Sequence, residues 1–226
     1  MQKKEDMSME EFKDYWLNVH GPIASAMANL RQYDQHVVVD REGHNSLNQG
    51  PVIIDGYSEL QFDSYGDMLE GVESLHGEGA NDVPLFANPH CQILVLAKRT
   101  VIKIPEYLRG KKLIQRVSFL SRAEGVSSER FVKEWWNVHD RIAQTIPGCV
   151  GYNQDLVIDR IDGGVSIPYE ELPVEGVVEL WFETQEALDE FCTSPEFARA
   201  SAHAAEFVGA INTYLTETYP VALPSA

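Results

Sequence analysis

Ser8-Met-Glu-Glu-Phe-Lys-Asp-Tyr-Trp-Leu-Asn-Val-His20 returns later in the chain as Ser127-Ser-Glu-Arg-Phe-Val-Lys-Glu-Trp-Trp-Asn-Val-His139. With a shift of 119, Ser8–Arg41 lies on Ser127–Arg160 without a gap, and 14 of the 34 pairs are identical. Average residue usage would give about two identities by chance. The chain is therefore an internal duplication. With a shift of 120, Gly56-Tyr-Ser-Glu-Leu-Gln-Phe62 falls on Gly176-Val-Val-Glu-Leu-Trp-Phe182, so both copies run on through a second strand.

Working outward, each copy reads as strand, helix, strand, strand, helix, strand. Phe12, Trp16, Val19, Ile23 and Met27 form a helical stripe, repeated by Phe131, Trp135, Val138, Ile142 and Ile146. Ser8 with Glu11 makes a capping box at its start. Alternating, β-rich runs at Leu113–Leu120, Gln35–Val39 with Gln154–Ile158, and Gly56–Phe62 with Gly176–Phe182 are strands. A second helix is expected near Tyr65–Leu75, and in copy two over Gln185–Phe191 with Pro195–Ile211. A last strand is expected near Gln92–Arg99 and again near Thr213–Tyr219.

The order βαββαβ is ferredoxin-like. The expected fold is α+β: two such units in tandem (1–104 and 105–226), packed sheet-to-sheet as a pseudo-dimeric barrel, because helices cover only one face of each sheet. Val101–Lys112 reads as the linker. Copy one has only Met1–Asp6 before its helix, so its first strand is expected to be missing or short. That leaves an edge at which a homodimer could form.

A net charge of −17 argues against nucleic acid and against anionic membrane surfaces. No apolar run is long enough to cross a bilayer, and no apolar stretch follows the charged start, so a cytoplasmic location is the default expectation. Cys91, Cys149 and Cys192 are too few and too widely spaced for a disulfide framework or a zinc site. No metal signature, phosphate loop or nucleophile elbow is present, and no cofactor is expected.

His20 and His139 recur four residues after Trp16 and Trp135, a spacing that shares a helix face. Packing can preserve an aromatic ring, but imidazole titrates near neutral pH and suits proton transfer. Tyr33 and Tyr152 could donate a hydrogen bond to a carbonyl or enolate oxygen. They could equally be packed rings with a wet tip. Glu59 and Glu179 alternate with apolar neighbours, and could point inward or to solvent. His44, His90 and His203 lack counterparts in the other copy. Gly21-Pro22 follows one repeated histidine and Asp140-Arg141 the other. Pro22 is expected to end or kink its helix and turn His20 toward a cavity mouth. Asp140, in contact, would raise the pKa of His139. On these grounds the His20 pocket is expected to be the chemically competent one.

These segments resemble the EthD family of the dimeric α+β-barrel superfamily, over nearly the whole chain. The resemblance implies a cofactor-free acid/base enzyme, a lyase, dehydratase or isomerase, acting on a small apolar, cyclic or aromatic compound. By analogy with methylmuconolactone isomerases in that family, it implies catalytic roles for His20, Tyr33 and His44, with His139 and Tyr152 their equivalents in copy two. Trp16, Trp135, Glu59 and Glu179 would contact substrate. Alternatives are a non-catalytic ligand-binding or stress-associated barrel and, further off, a haem-binding or monooxygenase-type barrel; no residue selects haem.

Overall fold

A computed structural model describes residues 1–42, 45, 47–75, 82–88 and 92–223. The chain divides into two compact units. One comprises Met1–Val38, Ile53–Cys91 and Glu217–Ala226; the other comprises Val39–Val52 and Gln92–Thr216.

In the first unit, helix α1 (Met9–Tyr15) starts at the Ser8–Glu11 capping box read from the sequence. It passes into a π-turn at Trp16–His20 and a last helical turn, α2 (Gly21–Ala24). Strand β1 (Gln32–Asp40) pairs antiparallel with β2 (Gly56–Gln61). Helices α3 (Tyr65–Ser74) and α4 (Val83–Phe86) follow. Glu217–Pro220, the end of the chain's last strand, lies beside β1. No full strand precedes α1. Instead Lys3 makes a single bridge to Ala87, while Met1 exchanges backbone hydrogen bonds with Asp55 and Gly56.

The second unit holds β3 (Ile93–Ile102), a 3₁₀ turn at Glu106–Leu108, and β4 (Ile114–Arg122). Then come α5 (Ser128–Glu134), a π-turn at Trp135–His139, α6 (Asp140–Ala143), β5 (Cys149–Asp162) and the short β6 (Val165–Ser166). The unit ends with β7 (Gly176–Phe182), α7 (Gln185–Thr193), α8 (Pro195–Ala204) and β8 (Val208–Pro220). Its strand order is β8-β4-β7-β5-β3. The first four are the ferredoxin-like arrangement of one complete copy. β3 closes copy one in the sequence, yet it pairs with β5 along nearly its whole length. Among the described residues copy one shows no strand equivalent to β4, and the edge of β5 offers β3 its hydrogen bonds.

Two local expectations are corrected. Val19 and Val138 are each 40% exposed and do not belong to the buried stripe. The π-turn is the reason: Gly21 and Asp140 donate their amides to the carbonyls five residues back, Trp16 and Trp135. One extra residue per turn carries Val19 outward and brings His20 with Gly21, or Asp140, onto the buried side. The helix expected to reach Ile211 ends at Ala204, and β8 begins at Val208. Ile211 opposite Leu120 on β4 gains more as a core strand residue than it would in a helix extension. Among the described residues, no helix is long and apolar enough to cross a membrane.

Candidate active site

The two π-turns share one buried support. Gln35 Nε2 donates to the carbonyl of Trp16 at 2.8 Å and to the hydroxyl of Tyr33 at 3.0 Å. Gln154 Nε2 donates likewise to Trp135 and Tyr152, at 3.1 and 2.8 Å. These carbonyls already accept the π-turn amides of Gly21 and Asp140, and the strand glutamine adds a second donor to each, fixing the widened turn against the sheet. The Trp rings then lie on glycine. A Cβ at Gly56 would come within 2.5 Å of Trp16, and one at Gly176 within 2.4 Å of Trp135. Much of the repeated signature thus builds one scaffold that sets the histidine's position.

What surrounds each histidine differs. His20 is buried, with Nδ1 at 3.0 and 3.1 Å from the two carboxylate oxygens of Asp82, and its ring packs on Phe86. Pro22 does not end the helix: it follows the π-turn directly, and the helix runs on through α2 to Ala24. His139 Nδ1 lies 3.3 Å from His203 Nδ1, and both rings pack on Phe207. Glu134 stands 3.6 Å beyond, at His203 Nε2. The expected rise in the His139 pKa is reversed. Burial, with a smaller contribution from His203, pushes it down to about 4, against a weaker upward pull from Asp140. Asp140 is instead held by Arg99 at 2.7 Å.

A cavity of about 90 Å³ opens beside His139. Apolar side chains form most of its wall, among them Trp135, Leu180, Phe191 and Phe197. His139, Tyr152 and Arg116 line it as well. Burial pushes the Tyr152 phenol upward, so the hydroxyl stays protonated; because it accepts from Gln154, its own O–H is directed elsewhere. Arg116 is only 4% exposed, with Nη1 at 3.3 Å from Ser118 Oγ. Burial lowers its pKa to about 10, which leaves it cationic at neutral pH.

The sheet separates the other candidates. Side chains alternate between its faces, so Tyr152 and Leu180 meet the cavity while Glu179 lies on the opposite face. There Glu179 is buried and accepts from Gln115 and Asn153, with Lys98 at 3.4 Å. In copy one Tyr33 faces the helices, and Glu59 lies on the other face near His36. Trp16 is fully buried in the core, whereas Trp135 is also a cavity wall. His44 and His90 lie outside the described residues. Arg116 was not among the candidates read from the sequence; its signal was an arginine in step with Ile114, Ser118 and Leu120 along an otherwise buried strand.

The EthD domain model matches residues 4–90 and again 123–210. An anthrone oxidase-like protein of known structure is similar over 100% of this chain and 93% of its own, at 10% identity and a TM-score of 0.62. A candidate monooxygenase from Lactobacillus acidophilus is similar over 99% and 93%, at 12% identity and a TM-score of 0.53. An EthD family protein from Bacillus halodurans covers 46% of this chain and 95% of its own, at 13% identity and a TM-score of 0.39. Comparison with curated proteins gave no match.

Proposed function

Since the chain belongs to the EthD family, as two EthD domains in tandem, we propose that it is a cofactor-independent acid–base enzyme, a lyase, dehydratase or isomerase, whose substrate is a small cyclic or aromatic compound bearing an anionic oxygen. The observation that carries this reading is the apolar cavity of the second unit, whose wall includes His139, Tyr152 and Arg116.

Each group has a distinct task. His139 is neutral at pH 7, so its base form is available. With a conjugate-acid pKa of about 4 it is a weak base, and removes only a proton already made acidic. Arg116 supplies that activation: a buried cation among apolar walls stabilises negative charge on a carboxylate, phenolate or developing enolate far better than an exposed one. Tyr152 donates its protonated hydroxyl to the same oxygen or to a neighbouring one. The relay Glu134–His203–His139 can hold the tautomer in which His139 Nδ1 carries the hydrogen and Nε2 accepts.

Incubation with a panel of cyclic β-dicarbonyl compounds and aromatic keto acids in D₂O tests this by NMR. The enzyme should exchange the acidic C–H of at least one compound for deuterium faster than buffer alone, and His139→Ala should lose about a hundredfold or more of that acceleration. Binding without exchange across the panel would favour a sequestering protein. Exchange coupled to O₂ uptake would favour the oxygenase reading that the labels of the structural neighbours suggest, since the same carbanion would then be trapped by oxygen.

A further inference from the structure

On the other face of the first unit's sheet, Asp34, His36 and Glu59 each turn a ligand-type atom toward a common point, all within 4.8 Å of one another. Asp34 and His36 are 8% and 2% exposed. Asp34 and Glu59 are directly opposite in the β1–β2 register. Two carboxylates so placed repel each other, and burial of Asp34 makes the repulsion costlier. His36 Nε2 lies 3.4 Å from Glu59 Oε2, while its Nδ1 is 3.1 Å from Thr218 Oγ1. In the tautomer that donates Nδ1–H to Thr218, the Nε2 lone pair faces the carboxylates, which is how a second-shell hydroxyl orients a metal-ligating histidine. Gln32 holds one oxygen of Asp34, and Tyr57 stacks on the imidazole at 4.3 Å, fixing the ring.

The second unit shows what the same place becomes when it is built as an ion pair. Asn153 opposes Glu179 in the matching register, and its amide donates to the carboxylate at 3.0 Å; the Lys98 ammonium adds a positive charge. Copy one has Asp34 for that asparagine and His36 for Asp155, so an amide has become a carboxylate and a carboxylate an imidazole.

We propose that Asp34, His36 and Glu59 form a binding site for one divalent first-row transition ion. Two hard carboxylates with one imidazole suit Zn²⁺ or Mn²⁺ and leave coordination positions for water or a ligand. Groups bound tetrahedrally to one zinc at about 2.1 Å stand about 3.4 Å apart, so the three need to close by up to about 1.4 Å, within reach of side-chain rotation. The site is on the opposite sheet face from β1's Tyr33 and is independent of the acid–base reading.

The test is calorimetric titration of the EDTA-dialysed full-length protein with ZnCl₂ and MnCl₂, and with Co²⁺ to read imidazole coordination from its visible bands. One equivalent should bind and raise the Tm. Binding should weaken at least tenfold in Glu59→Gln and in Asp34→Asn, and should be unchanged in Glu179→Gln. Asp34→Asn places in copy one the residue that copy two already folds with, so a folded variant is assured a fair reading; circular dichroism and Tm check each protein. No binding to the wild type, binding that survives both substitutions, or binding lost in His203→Gln instead would overturn the proposal.

Discussion

The surroundings of His20 and His139 are the clearest contrast in the molecule. The same helix segment, the same π-turn and the same Gln–Tyr support deliver both rings. Their partners are then opposite in character: a carboxylate, Asp82, for His20, and a second imidazole, His203, for His139. Asp82 and His203 stand at equivalent places, as do Phe86 and Phe207, each pair 121 residues apart. The scaffold therefore sets where the imidazole goes, and one further side chain sets what it can do. A carboxylate partner locks a buried hydrogen-bonded pair. Burial beside a cavity, with a smaller contribution from its imidazole partner, keeps the His139 ring neutral. In copy two the strand β4 contributes Arg116, Ser118 and Leu120 to the cavity wall, and among the described residues copy one shows no equivalent strand.

The comparison breaks most readily in turnover. Once the exchange assay has found a substrate, His139→Ala should lose about a hundredfold or more, the usual scale for a general acid/base. His20→Ala should retain most of the activity of its folded fraction. The reverse result would return the chemistry to copy one.

Stability should show the opposite pattern. His20→Ala leaves the Asp82 carboxylate buried without its imidazole, and should cost about 3 kcal/mol in urea unfolding. His139→Ala removes a ring that meets another imidazole, and should cost clearly less.

A pH series sharpens the same contrast. Burial holds His139 near pKa 4 in the fold, against about 6.5 when unfolded. Between those values the unfolded chain binds more protons, so stability present at pH 7 is lost as the pH falls from about 6.5 to about 4, by at most about 3 kcal/mol. His203→Asp gives His139 the partner type that His20 has. It should raise the His139 pKa by about one unit or more, measurable by NMR titration, and shrink that acid loss. An unmoved titration would show that His203 does not set the difference.

The smallest effect expected is one that both copies share. Gly56→Ala and Gly176→Ala each push a methyl into a tryptophan ring, and should each cost about 2 kcal/mol in thermal or urea unfolding. Unequal costs would mean that the two scaffolds are not equivalent.

Much of this protein was determined by its sequence alone. The duplication, the capping box at Ser8, the strand cores and the βαββαβ order follow from periodicity and local propensity, which act over a few residues and need no tertiary partner. The repeated Tyr33/Tyr152 and Gln35/Gln154 were visible as identities, but their meaning was not, since the π-turn they support depends on a strand glutamine reaching a carbonyl 19 residues earlier. Tertiary structure alone decided that β3 pairs with β5, that Glu179 and Tyr152 are parted by the sheet, and that Arg116 joins His139 at one cavity. It also decided the partners of the two histidines, Asp82 and His203, which lie 62 and 64 residues further along the chain. Long-range pairing of that kind leaves no local period to read. Desolvation, which makes His139 a neutral base, depends on what packs around the ring rather than on the residues beside it in the chain.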